Sequence, residues 1–184
     1  MKVLLHICCA PCAIYPLKAL RGEGHETTGF FYNPNIHPYT EFERRREALA
    51  AYSRISLLPL IVDETYDLHA FLKAALDAGA DRCAACYRIR LDAAFRKAAE
   101  EKADAVTTTL LYSIYQRHEV IAAVAEELSS RYETPFLYKD FRPGWKEGQA
   151  EARSLGIYRQ NYCGCIFSEY ERFAARPQRR DEKR

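Results

Sequence analysis

A chain of 184 residues with 48% apolar and 28% charged residues has the size and balance of one globular domain with a full core. Its net charge of +2 is too small to imply by itself a nucleic-acid binder, and no run approaches the roughly 20 apolar residues of a membrane-spanning helix. The apolar run in MKVLLHICCAPC is too short for a signal peptide, so the chain is expected in the cytoplasm, away from membranes, with its thiols reduced.

In chain order, residues 2–7 read as a buried strand ending at a first group of cysteines. A helix over 13–21 is stopped by Gly22 and Gly24, and 27–32 form a second strand closed by the turn-rich Asn33-Pro34-Asn35-Ile36-His37-Pro38. Thr40 with Glu43 three residues on predicts a capping box for a helix reaching about Ser53. A third strand over 57–63 is weakened by Pro59. Helical periodicity spans 68–78, a long helix carries Cys83 and Cys86 to about Lys102, and 105–111 form a β-branched fourth strand. A helix over 119–131, a short fifth strand over 135–138, a helix to about Leu155 and a last short helix over 167–174 complete the pattern. Strand–helix alternation predicts an α/β domain over residues 1–174, a mostly parallel five-stranded sheet covered on both faces, followed by a basic tail over 175–184. In such sheets ligands sit beyond the carboxyl ends of the strands, where the first cysteines lie.

Seven cysteines occur in three groups: Cys8, Cys9 and Cys12; Cys83 and Cys86; Cys163 and Cys165. Packing alone scatters cysteines singly, whereas grouped thiols suggest soft ligands for a metal, a redox site, or both. An odd number argues against a purely disulfide framework. Adjacent Cys8 and Cys9 are expected to point apart, which suits a polynuclear cluster better than one small ion. Cys83 and Cys86, at i and i+3, share a helix face. Four ligands for a [4Fe–4S] cluster are thus available from Cys8, Cys9, Cys83 and Cys86. Cys163-Gly164-Cys165 suits a strained reversible disulfide or a separate metal, and Cys12 either a further ligand or a simple helix residue. Four-cysteine structural zinc and a thioredoxin-like pair compete with these readings. His6 and His118 read as core or surface residues rather than ligands.

Basic groups occur at Arg44-Arg45-Arg46, at Arg82, Arg88 and Arg90, and over 172–184, where five Arg and one Lys face Asp181 and Glu182. They suit phosphates, or a solvated helix face and a frayed tail. There is no G-x-x-x-x-G-K-[ST] loop, no G-x-G-x-x-G, and no Gly/Ser-rich phosphate loop after the first strand, so an ATP-consuming reading loses its key part.

Four motifs in order carry a resemblance over residues 2 to about 170: His6-Ile7-Cys8-Cys9-Ala10-Pro11-Cys12, the stretch from Arg82 to Leu91, Asp140-Phe141-Arg142-Pro143-Gly144-Trp145, and the stretch from Tyr158 to Cys165. Together they resemble the epoxyqueuosine reductase QueH family. The resemblance implies a Rossmann-like domain of the adenine-nucleotide-hydrolase (HUP-like) type and the last step of tRNA queuosine biosynthesis, in which the epoxide of epoxyqueuosine becomes the cyclopentene of queuosine. It further implies a [4Fe–4S] cluster on Cys8, Cys9, Cys83 and Cys86, an adjacent iron ion and no cobalamin. Cys163 and Cys165 are then a redox-active pair or hold the extra iron. Cys12 stands where some members carry Asp, which makes a metal role plausible for it.

Removing the epoxide oxygen takes two electrons and two protons. An unidentified electron donor is therefore implied, with Asp140, Tyr162 or water as proton source. The substrate base lies in a tRNA anticodon loop, for which Tyr32, Tyr87, Tyr112, Tyr115 and Trp145 are candidate stacking residues and the arginines candidate phosphate grips. Two other classes stand beside this one: a zinc-stabilised nucleic-acid-binding module without redox activity, and a thiol oxidoreductase acting on proteins.

Overall fold

In the computed structural model, residues 1–174 are described; the basic tail over 175–184, and the role expected of it, lie outside them. Four parallel strands, β1 (Lys2–His6), β2 (Glu26–Phe31), β3 (Leu60–Val62) and β4 (Ala105–Thr108), lie in the order β3-β2-β1-β4. Val3 of β1 pairs with Thr27 on one side and Ala105 on the other, so β1 is the central strand of the sheet's topological switch. Apart from Lys2, both β1 and β4 are buried throughout, as apolar strands covered on both faces must be.

The helices α1 (Ala10–Gly22), α2 (Tyr39–Ser56), α3 (Leu68–Asp77), α4 (Arg82–Glu100), α5 (His118–Tyr132), α6 (Trp145–Ser154) and α7 (Ile166–Phe173) fall into two groups. α1 packs with α2 and α6, α4 packs with α3 and α5, and both α1 and α4 also contact strands. The core joins Leu4, Leu5 and Ile7 to Phe30, Leu91, Phe95, Val106 and Leu111. No helix of the described residues is long and apolar enough to cross a membrane.

Several expected boundaries shift for identifiable reasons. The sheet has four strands, not five, because 135–138 supply only one bridge, Val106 to Phe136. There the Tyr138 N–H turns back onto the Phe136 carbonyl at 3.1 Å and the chain leaves the ladder. α1 starts three residues earlier than expected, because Pro11 is well suited to a helix's first turn, and Cys12 is thereby helical. The capping box does not form: Pro38 precedes α2, and the Glu43 carboxylate pairs with Arg46 at 2.8 Å. β3 is shorter than 57–63 because Leu57, at φ 52°, caps α2 in the left-handed conformation. β4 ends at Thr108, whose hydroxyl accepts the Leu110 N–H at 3.2 Å and turns the chain into a 3₁₀ helix over Thr109–Tyr112.

Candidate functional site

Beyond the carboxyl end of β1 the chain passes directly into α1. Cys8 lies in that junction, Cys9 is the residue preceding the helix in extended conformation (φ −170°, ψ 161°), and Cys12 falls in the first turn. This break in direction overturns the expectation that Cys8 and Cys9 point apart. Their Sγ atoms lie 3.8 Å from each other, and all three sulfurs of the group fall within 4.8 Å. Thr109, just after β4, clamps Cys8 by accepting its N–H at 3.0 Å and donating its hydroxyl to the sulfur at 3.3 Å. Hydrogen bonds from the Cys12 and Cys9 thiols hold Cys8 well below the usual thiol range, while burial pushes Cys9 up and the bond to Cys8 does the same for Cys12.

Cys83 stands on the first turn of α4 and Cys86 on the next, near the helix N-terminus, whose dipole favours thiolates. Burial opposes this, raising Cys83 and pushing Cys86 to about 12. Cys163 and Cys165 arrive on the irregular segment between α6 and α7, and the Cys165 sulfur caps α7 by accepting the Ser168 N–H at 3.4 Å.

A cavity of about 660 Å³ draws these groups together, lined among others by Cys8, Cys12, Cys83, Cys163 and Cys165. A small adjoining cavity of about 30 Å³ is lined by Cys83, Cys86, Cys163 and Cys165. Cys9 lies just beneath, where the Gln160 side chain donates to its sulfur at 2.8 Å. Three sulfurs within 4.8 Å of one another, three more thiols on the same cavity and Cys86 on the adjoining one make a soft donor set, and the residues present fit an iron–sulfur group.

The irregular segment is held from α2. Buried Arg45 pairs with Glu41 at 2.7 Å and donates to the carbonyls of Cys163 at 2.9 Å and Tyr162 at 3.2 Å. The Tyr162 hydroxyl donates to the His37 carbonyl, and the His37 N–H to the Gly164 carbonyl at 2.8 Å. The same cavity is also lined by Trp145, Tyr115, Gln149, Arg117 and Arg159. Trp145 packs on Tyr112, with ring centroids 4.9 Å apart, and stands edge-on to exposed Tyr115 at 5.9 Å.

The sequence model of the family described as Epoxyqueuosine reductase QueH matches residues 3–171. Among curated relatives, the Epoxyqueuosine reductase QueH of Dehalococcoides mccartyi is 34% identical, with 94% of each chain covered. That of Thermotoga maritima is 35% identical, with 92% of this chain and 91% of the relative covered. The chain belongs to the epoxyqueuosine reductase QueH family. A solved structure described as a predicted subunit of a tRNA methyltransferase from Methanocaldococcus jannaschii matches 83% of this chain and 76% of its own at a TM-score of 0.55. At 12% identity that likeness shows the shared fold alone.

Within this QueH chain the remaining expected site residues separate clearly. Asp140 is not among the residues lining the cavity; its carboxylate accepts from Arg142 at 2.7 and 2.8 Å, which holds it below the usual carboxylate range. Its motif seats Trp145 instead: Phe141 is buried, Gly144 lies against the Tyr15 ring, and the Trp145 carbonyl accepts the Tyr112 hydroxyl at 3.0 Å. Tyr32 does not line the cavity; it stacks on Phe30. Buried Tyr87 lines it, with its hydroxyl donating to Gln116 at 2.7 Å. His6 is structural, as expected, with its ring nitrogens 2.8 Å from Thr108 Oγ1 and 3.2 Å from the Tyr32 carbonyl; burial lowers it to about 3.

Most arginines of two of the clusters are either buried or paired with carboxylates. Arg45 and Arg90 are buried, Arg46 pairs with Glu43 and Glu64, Arg82 with Glu171, and Arg88 with Glu127. The exposed basic residues on the cavity wall are Arg117, Arg159 and Arg172. Sequence reasoning missed Gln116, Gln160 and Thr109 as partners of the sulfurs. Only Gln160 lay within a motif; Gln116 and Thr109 reach the site through the fold alone.

Proposed function

We propose that this protein is an epoxyqueuosine reductase that removes the epoxide oxygen of epoxyqueuosine in tRNA, giving the alkene of queuosine and water. The observation that supports the reading most strongly is the convergence of all three cysteine groups on one region, beside a cavity also lined by aromatics and arginines. Cys8, Cys9, Cys83 and Cys86 are assigned to a [4Fe–4S] cluster; Cys12, Cys163 and Cys165 are left for an additional iron ion or a redox-active dithiol. When bound, these centres supply electrons singly and an open Lewis-acid position for the epoxide oxygen.

The chain's own residues hold and orient the substrate. A base splayed from a cytoplasmic tRNA's anticodon loop enters the cavity and stacks on Trp145 and Tyr115. Gln149, Gln160 and Asn161 offer hydrogen-bonding groups, and Arg117 and Arg159 meet the flanking phosphates. The reaction consumes two electrons and two protons. Tyr162 has its hydroxyl committed to the His37 carbonyl and Asp140 stands outside the cavity, so water is the proton source that fits. The electrons come from a separate reductant.

Protein purified without oxygen is expected to contain about four or five irons and four sulfides per chain, with an EPR signal on reduction. Stoichiometric zinc without sulfide would overturn this reading in favour of a zinc-stabilised binding module.

A further inference from the structure

Arg90 is buried at 1% exposure, yet no carboxylate is bonded to it among the described residues. Its Nη2 donates to the neutral side chain of Asn33 at 2.7 Å, and its Nε has no hydrogen-bond partner. A guanidinium stays charged, and burying a charge without a counter-charge is strongly unfavourable. Arg45 illustrates the ordinary solution, since it is equally buried but pairs with Glu41 at 2.7 Å.

What Arg90 faces instead is sulfur. It lies one helical turn after Cys86, at i+4 on the same face of α4. It lines the larger cavity with Cys8, Cys12 and Cys83 and the smaller with Cys83, Cys86, Cys163 and Cys165. The groups able to carry negative charge that act on it most strongly are the sulfurs of Cys86, Cys8 and Cys163.

We propose that Arg90 is the buried counter-charge of the cysteine-bound redox centre and sets its reduction potential, holding it higher than the thiolate ligands alone would. This rests on the iron–sulfur reading above. A fixed positive charge in a low-dielectric site favours the reduced form, which carries one more electron, and net charge and hydrogen bonds to sulfur are main determinants of such potentials. Arg90 acts through the centre and touches no substrate in this account, so it is a positioning and tuning residue.

The test is an EPR-monitored redox titration, with dithionite as reductant and mediators present, on anaerobically purified wild type, Arg90→Met, Arg90→Gln and Arg90→Lys. Iron and sulfide are counted first in the wild type; their absence there would remove the underlying reading, and the present inference with it, before any variant is compared. With the centre present, Arg90→Met and Arg90→Gln are expected to show a midpoint potential below the wild type, and Arg90→Lys to recover most of the difference. An Arg90→Met or Arg90→Gln protein with wild-type iron and sulfide and an unchanged midpoint would overturn the inference. Should Arg90→Met fail to retain iron, the comparison of Arg90→Gln with Arg90→Lys decides: equal potentials overturn it, and a lower one in Arg90→Gln supports it.

Discussion

Glu41 and Arg45, one turn apart on α2, are both nearly excluded from solvent, and their spare hydrogen-bonding capacity goes to the segment bearing Cys163 and Cys165. The Tyr158 hydroxyl adds a bond to the other Glu41 oxygen, at 2.5 Å. Breaking a buried pair by removing one partner strands the other charge, so Arg45→Met is expected to lower stability by about 3–5 kcal/mol. The double variant Glu41→Gln/Arg45→Met is expected to recover part of that loss, and denaturant unfolding of the pair checks both. Gly164 is constrained on two counts: its φ is +136°, and an added Cβ would lie 3.1 Å from an Arg45 nitrogen and 3.2 Å from Ile36. Gly164→Ala is therefore expected to be less stable by about 1–3 kcal/mol, read by the same unfolding measurement. That the cysteine groups mattered was legible from their spacing. That Arg45 holds a loop rather than a phosphate was not, because its partners are more than a hundred residues away and are backbone carbonyls.

At the level of elements, the Asp140–Trp145 motif anchors α6 onto α1 and the 3₁₀ turn Thr109–Tyr112. A Cβ at Gly144 would lie 2.2 Å from the Tyr15 ring, and one at Gly148 would lie 2.5 Å from the Tyr112 hydroxyl. Gly144→Ala must push α6 outward; a loss of about 1–3 kcal/mol is expected from overpacking. Trp145 is the chain's one tryptophan, so its fluorescence should shift in Gly144→Ala and report the displaced cavity wall directly. An unchanged spectrum with unchanged stability would contradict this packing account. Local patterning showed most of the helices and strands well, α4 above all, whose Ala-rich repeat carries the cysteines near its N-terminus. It failed where tertiary hydrogen bonds decide the outcome: Thr108 ending β4 through its own side chain, Tyr138 leaving the sheet after a single bridge, and Glu43 turning to Arg46 instead of capping α2.

Across the whole molecule, the strand order β3-β2-β1-β4 brings the Cys8 junction beside the end of β4, and the first turn of α4 and the C-terminal segment close over it. A cavity lined by cysteines together with Trp145, Tyr115 and exposed arginines follows from that order. Phosphate contacts make nucleic-acid affinity fall with salt, so binding of an anticodon stem-loop should weaken as salt rises. The double variant Arg117→Gln/Arg159→Gln should bind more weakly and reduce the log–log salt slope by about one for each arginine removed. A slope identical to wild type would place the phosphates elsewhere. The central claim meets its most direct test in nucleoside mass spectrometry of epoxyqueuosine-containing tRNA incubated anaerobically with the iron-replete protein and a reductant. The account predicts conversion to queuosine with loss of one oxygen atom, abolished by Cys86→Ala; intact epoxyqueuosine after many turnover times, with iron and sulfide verified in the protein, would contradict it.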